Sequence, residues 1–318
     1  MSLSNKNGNL SCWIITEGMV GTENQCLGVT DSLKITPKVI KIGLKQPWKT
    51  LTPWLGFEYA GIFNTELNPP WPDLVITSGR KAIAASRYIK KKSKGKSYTV
   101  HIQDPKCNPK DFDLVAAPFH DRLRGKNVLV TDGAPNRITE EKLEQAKTEF
   151  GPFINLPEPR IAVLIGGNSR THKMTSDITK ELVRRLKTLN GGLMITTSRR
   201  TGEENTQILK EGLGSENIYF WDGQAPNPYH GMLAWADFVL VTEDSVSMIS
   251  DACTTGKPVY TIKLEGQSKR FDKFHNHLCD IGATKAFEGN LEHFTYEPLQ
   301  DAKKIAHAIK SGLGEKEA

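Results

Sequence analysis

Short apolar runs rich in β-branched residues recur at Cys12–Thr16, Val39–Leu44, Leu74–Thr77, Tyr98–Gln103, Leu114–Ala116 and Val128–Thr131, and read as buried strands. Longer amphipathic stretches fill the gaps, notably Lys81–Lys91 and Thr139–Phe150, the second opening on an N-cap threonine without a full capping box. Strands alternating with helices predict a parallel sheet covered on both faces. The stretch Gly151–Pro159 breaks both periods, because Pro152, Pro157 and Pro159 can neither continue a helix nor sit in a central strand. It reads as an interdomain linker. The alternation then restarts, with strands at Ile161–Ile165, Leu193–Thr197, Ile218–Trp221, Phe238–Thr242 and Val259–Ile262. Helices at Thr175–Leu189, Glu203–Leu213, Tyr229–Ala236 and Val246–Thr255 separate them. Ala302, Ile305, Ala306 and Ile309 then form one apolar helical face that must dock somewhere. The expectation is an α/β chain of two doubly wound, Rossmann-like domains, residues 10–157 and 158–297, with a terminal helix over 298–312 packed back on the first.

Composition narrows this picture. At 318 residues, 38% hydrophobic and 25% charged, with a mean hydropathy of -0.42, the chain has material for two cores and is neither disordered nor collagen-like. No run reaches the roughly 18 to 20 apolar residues that span a bilayer, and the first ten residues lack the apolar centre of a signal peptide. A cytoplasmic setting is expected, free or peripheral to the inner membrane. The five cysteines are scattered and never form a C-x-x-C pair, which predicts reduced thiols without a zinc or iron–sulfur site. A net charge of +6 favours anionic ligands but falls short of a nucleic-acid binder. The densest basic run, Lys90 to Lys96, suits either anionic lipid or a solvated helix end. The aromatic segment Pro47–Phe63, beside Lys41, Lys45 and Lys49, suits either a membrane-surface acceptor or ordinary packing.

Ligands of open α/β sheets gather beyond the carboxyl ends of strands, so the strand-to-helix turns carry the chemistry. After the first strand, Glu17 is placed to deprotonate a hydroxyl or to cap a helix, beside Gly18 and Gly21. Gly166, Gly167, Asn168 and Ser169, followed by Arg170 and Lys173, form a turn able to surround a phosphate. Arg199 and Arg200 follow a strand of the same sheet and are suited to a pyrophosphate, or else are two solvated surface cations. Asp244, Ser245 and Ser247 stand at the start of the next helix, with Asp251 about two turns further in, near where a ribose diol would reach. Asp111 and Asp113 have a metal-binding spacing but run into a strand, so metal independence is expected.

The block Thr242–Met248, ending at Gly256-Lys257-Pro258, resembles the donor-binding half of GT-B glycosyltransferases. The chain from about residue 11 to 310 resembles a family of bacterial and plant proteins named for an elongated-mitochondria, or mitochondrial-fission, factor. That resemblance rests on Glu17-Gly18, Asn24-Gln25, Thr77–Arg80, His101–Pro105, Thr131–Arg137, Gly166–Ser169, Ser198–Thr201 and Asn227–Tyr229 as well. It implies two GT-B domains facing a cleft and a nucleotide-diphosphate sugar as donor substrate, with no separate cofactor. Gly166, Gly167, Asn168, Ser169, Arg199, Arg200, Asp244, Ser245, Ser247 and Asp251 would hold the donor, with Asn227–Tyr229 and Trp221–Gly223 lining its base or sugar. Peptidoglycan N-acetylglucosaminyltransferases end their first glycine-rich loop in a histidine, and Thr22 stands there in this chain, so no base carries over. Glu17, His101 and Asp104 are the catalytic candidates in the first domain, with His120 behind them.

The expected activity is a metal-independent transfer of sugar to a hydroxyl acceptor, free or lipid-linked, in envelope or lipid-linked glycan metabolism. Two rivals stand beside it: a nucleotide-sugar epimerase or hydrolase on the same fold, and a noncatalytic GT-B scaffold at a membrane surface.

Overall fold

A computed structural model of the chain describes residues 10–221 and 223–317. The chain divides into two compact units, one running to Arg137 and resuming at Gln300, the other formed by Ile138–Leu299. The first contains β1 (Cys12–Thr16), α1 (Val20–Leu33), β2 (Lys38–Lys41), the short α2 (Trp48–Leu51), β3 (Leu74–Ser78), α3 (Ala82–Lys92), β4 (Tyr98–Ile102), β5 (Leu114–Pro118) and β6 (Val128–Thr131). The second contains α4 (Glu140–Glu149), β7 (Arg160–Ile165), β8 (His172–Lys173), α5 (Ser176–Leu186), β9 (Gly192–Thr197), α6 (Glu203–Leu213), β10 (Ile218–Phe220) and α7 (Tyr229–Trp235). It continues through β11 (Phe238–Thr242), α8 (Val246–Thr254), β12 (Val259–Ile262), β13 (Glu265–Gly266), α9 (Lys269–Asp280) and β14 (Thr284–Ala286), before α10 (Asp301–Glu317) rejoins the first unit.

In the first unit six parallel strands run in the order β2-β1-β3-β4-β5-β6. Successive side chains of a strand point to opposite faces. Ile14 therefore joins Val29 of α1 and Ile305 and Ile309 of α10 on one face, while Ile15 joins Ala85 and Ile89 of α3 on the other. The apolar stripe of α10 thus packs on α1 and β6 and joins the core formed by β1, β3, β4 and β5 on that face. Asp301 anchors its start, accepting from the backbone N–H groups of Asp132 at 3.0 Å and Gly133 at 2.8 Å.

In the second unit the parallel order is β10-β9-β7-β11-β12-β14. Ile161, Val163 and Ile165 of β7 pack under Leu182 and Leu186 of α5, and Ala162 and Leu164 pack under Ile249 and Cys253 of α8. β8 and β13 form a small antiparallel ribbon. In both sheets the strand order reverses beside the first strand of the unit, between β1 and β3 and between β7 and β11.

The proline-rich stretch is not the boundary that its composition suggested. Gly151–Asn155 is a 3-10 turn whose Phe153 is buried in the core of the second unit, together with Phe150 and Leu156. The helix expected to close the first domain is α4, which packs on α7 of the second unit. Arg160 locks this segment down, donating from Nε to the Phe153 carbonyl at 3.1 Å and from Nη2 to the Ile154 carbonyl at 3.0 Å. Prolines here end a helix and start a packed turn.

Candidate functional site

At the β7/β11 crossing of the second unit, three strand-end turns are bound into one body. The Gly166 N–H donates to Thr242 Oγ1 at 2.7 Å, and the Gly166 carbonyl accepts from Thr201 Oγ1 at 2.7 Å and from Ser198 Oγ. The Asn168 N–H donates to the Arg200 carbonyl at 2.8 Å. Both glycines are forced. A Cβ on Gly166 would lie 2.4 Å from the Asp244 carboxylate, and Gly167, at φ +127°, would put one 2.3 Å from the Arg200 carbonyl. Thr242, Ser198 and Thr201 supply the hydrogen bonds that fix this turn. All three stand in the sequence only as motif members, with no sign of this bonding role.

Asp244 is buried behind the turn, and neither of its carboxylate oxygens has a hydrogen-bond partner among the described residues. Its side chain is 0% exposed and pairs at 2.6 Å with Nη1 of the exposed Arg200. Its role is to hold that guanidinium at the strand ends. Arg199 is exposed and makes no ion pair among the described residues. Asn168 and Ser169 are exposed, but their oxygens serve the loop: Asn168 Oδ1 accepts from the Met174 N–H at 2.9 Å, and Ser169 Oγ from the His172 N–H at 3.0 Å. Their N–H₂ and O–H donors are what remain for a ligand.

Ser245 caps α8, accepting from the Met248 N–H at 3.3 Å. Helix geometry leaves the N–H groups of Val246 and Ser247 without intrahelical acceptors, and the helix dipole adds partial positive charge there. Asp251 lies deeper in α8 and accepts from the Tyr229 hydroxyl of α7 at 2.9 Å. Burial pushes its carboxyl up to about 7, against the lowering effect of that hydrogen bond, and burial with the adjacent carboxylate raises the Tyr229 hydroxyl well above its usual range. The structure therefore gathers Gly166, Gly167, Asn168, Arg200, Asp244 and Ser245 at one place, with Ser247 in the first turn of α8 and Asp251 in a separate pair with Tyr229. Asp222 lies outside the described residues.

The candidates of the first unit are otherwise engaged. Glu17 does not cap the helix that follows it; it serves α3, accepting from the Lys81 N–H at 3.0 Å and pairing with Lys81 Nζ at 2.6 Å. Burial opposes this, yet the contacts with Lys81 and the charge of Arg80 leave its carboxyl below the usual range. His101 lies within β4: it is 2% exposed, shares a hydrogen bond between Nδ1 and Thr77 Oγ1 at 2.9 Å, and rests on Phe112. Burial pushes its imidazole down to about 3, so it is neutral at physiological pH. Asp104 pairs with Lys106 at 2.5 Å, and His120 is buried. Arg80 clamps the carbonyls of Lys49 at 2.8 Å and of Thr52, fixing the loop after α2. The spaced carboxylates are structural as well: Asp113 accepts from the Thr99 N–H and hydroxyl, both at 2.8 Å, while Asp111 lies 3.5 Å from Arg87. Gln25 and Gln103, from two separate motifs, meet at 3.0 Å.

The aromatic segment is split, with Trp48 edge-on to Tyr59 and Trp54 and Phe57 exposed. Cys12, Cys26 and Cys253 are free and buried. Among the described residues no helix is long and apolar enough to cross a membrane.

Solved structures share this architecture. UDP-GlcNAc 2-epimerase of Methanocaldococcus jannaschii superposes with a TM-score of 0.57 at 14% identity, over 95% of this chain and 99% of that one. The same enzyme in complex with UDP-GlcNAc and UDP gives 0.55 at 12% identity, over the same shares. MurG of Acinetobacter baumannii gives 0.50 at 13% identity, over 96% and 92%. At these identities the likeness is one of fold, the GT-B pair of Rossmann-type units. In sequence, the chain is 32% identical over 275 residues to the mitochondrial fission protein ELM1 of Arabidopsis thaliana, covering 76% of this chain and 64% of that protein's length. The family described as mitochondrial fission ELM1 matches residues 20–313, and with nearly the whole chain accounted for, the protein belongs to that family.

Proposed function

We propose that the second unit binds a nucleotide-diphosphate sugar and that the protein transfers the sugar to a hydroxyl acceptor held by the first unit. The observation that carries this reading is the fused turn at the β7/β11 crossing, where a buried Asp244 holds Arg200 beside the capped start of α8. Such a crossing is where α/β sheets take nucleotides. A diphosphate there would meet Arg199, Arg200 and the N–H groups of Val246 and Ser247, and these preorganised donors would stabilise the charge that grows as the sugar leaves. Asp251 and Tyr229 would lie toward the nucleoside. The complex of the structurally similar epimerase with UDP-GlcNAc and UDP makes UDP the first nucleotide to try.

One observation favours a second reading, a nucleotide-sugar-binding scaffold without turnover: Glu17, His101 and Asp104 are each tied into the fold, which leaves the first unit without an evident base. The test has two stages. Thermal stability is followed with UDP, GDP, CDP, ADP and dTDP, with and without magnesium, and the nucleotide that binds is then offered as its sugar derivatives, with product analysis. Selective stabilisation followed by transfer to an added acceptor supports the first reading. Free or epimerised sugar without acceptor assigns a hydrolase or epimerase instead. Binding without any product supports the scaffold, and no stabilisation in folded protein overturns the nucleotide site.

A further inference from the structure

The first unit carries a second basic feature, remote in sequence from the turns discussed above. A surface hollow of about 440 Å³ is lined by Arg87, Lys90, Lys91, Lys94, Lys110 and Asp111. Positions 87, 90, 91 and 94 recur at helical spacing along one face of α3 and its exit, and Lys110 comes from the 3-10 turn Pro109–Asp111. Two of these cations are neutralised locally: Arg87 lies 3.5 Å from both Glu58 and Asp111, and Lys90 lies 3.4 Å from Asp113. Lys91, Lys94 and Lys110 are exposed and form no ion pair among the described residues, although Lys91 still acts on the charge of Glu58 at longer range.

Lysines in the last turn of a helix offset its dipole, which accounts for Lys90 and Lys91. It does not account for Lys110, which belongs to another element and lines the same hollow. Like charges converging on one concavity repel, and a multivalent anion relieves that repulsion. The backbone N–H groups nearby are spent, with Lys94 donating to Lys91 and Gly95 to Lys90. Recognition would therefore come from side-chain charge alone and would select for charge density over shape. We propose that this hollow binds a compact polyanion of the phosphate-ester class, either a soluble polyphosphate or a phosphorylated lipid headgroup. Its volume, at the lower end of the range for small-molecule sites, suits several phosphates better than one ion.

The experiment uses the full chain and titrates sodium tripolyphosphate by calorimetry into Arg199→Ala protein, in which the second-unit site is weakened. The variant K91Q/K94Q/K110Q is compared in that background. Tripolyphosphate should bind the Arg199→Ala protein, and the three glutamines should weaken it roughly tenfold or more without moving the unfolding midpoint, since exposed charges contribute little to stability. With Arg199 intact, the three glutamines should leave UDP affinity unchanged. Vesicles of phosphatidylcholine with phosphatidic acid form the second arm. Binding that the glutamines abolish on vesicles but that tripolyphosphate lacks assigns a lipid headgroup, and the reverse assigns a soluble ligand. Equal affinity of the glutamine variant for both probes, or no binding of either probe, overturns the proposal. Failure of the nucleotide reading looks different, with UDP silent and the lysine-dependent binding intact.

Discussion

Arg199 and Arg200 are chain neighbours with opposite commitments. Arg200 is the partner of a buried carboxylate, whereas Arg199 is exposed and makes no ion pair among the described residues. Arg199→Ala should weaken UDP binding by about 1.5–3 kcal/mol, the worth of a charge-assisted hydrogen bond, and leave the urea midpoint in place. Arg200→Ala should also lower the unfolding free energy, by about 1–2 kcal/mol, because it strands the buried Asp244 charge while solvent already screens the exposed guanidinium. Equal midpoints for the two variants would remove Asp244 from its positioning role. Asp251 gives a pH signature at the same scale. Its carboxyl rises from 3.8 to about 7 on burial, so the folded state holds this proton more tightly than the unfolded chain. Stability from this group is therefore greatest in acid and falls as pH rises through that window, by at most about 1.4 kcal/mol per pH unit. Asp251→Asn removes the slope, so its unfolding midpoint should gain on the wild type between pH 4 and 7 and hold a constant lead above; a pH-independent difference would contradict the assignment. Residue types at the strand ends were legible in the sequence, but partners were not. Period two already put His101 on the face opposite Val100 and Ile102, and what that face buries, Thr77 and Phe112, emerges only once the sheet is assembled.

Elements follow the apolar pattern where the pattern is strong. The strands of both sheets fall within a residue or two of their sequence runs, apart from β2, which ends at Lys41 while Leu44 forms an isolated bridge with Phe63, and β14, whose three residues Thr284–Ala286 carry no apolar run to mark an edge strand. The long α1 has little apolar period to reveal it, because Thr22, Gln25, Gly28 and Thr30 on its buried face are polar or small, and Gly28 is required because a Cβ would fall 2.1 Å from the Asn136 carbonyl. The apolar signal of α9 is short, with Phe274 and Leu278 as its buried residues at helical spacing. The units divide at Ile138 and not within the proline-rich stretch, since proline content marks a break in periodicity without saying which core receives the chain. Arg160 decides that question here. Arg160→Met keeps the bulk but strands the Phe153 and Ile154 carbonyls, and should cost about 2–3 kcal/mol by urea denaturation. It should also make the 150–157 segment the first to be cut by protease, whereas unchanged cleavage would show that Phe150, Phe153 and Leu156 suffice to hold it.

At the scale of the whole molecule, each unit has a two-sided core of its own, so ligand binding and any chemistry can be apportioned between them by where order increases. The net charge of +6 draws anions to both units without choosing one, and the choice rests on local geometry. A nucleotide that binds only the folded protein adds about 2.7 kcal/mol at a hundred times its Kd. If the β7/β11 crossing is its site, hydrogen exchange at saturating UDP should slow the amides of Gly167, Val246, Ser247 and Arg199, which lie in the strand-end turns and the first turn of α8. The amide of Lys81, already bonded to Glu17 in the first unit, should be unaffected. The comparison separates specific binding from the general attraction of a cationic protein, because added salt screens the latter and would erase protection everywhere at once. Protection that survives salt and is confined to the strand ends of the second unit would fix the nucleotide there, and protection centred on the β1 and β3 ends would move the site to the first unit and leave Arg199 and Arg200 without a ligand.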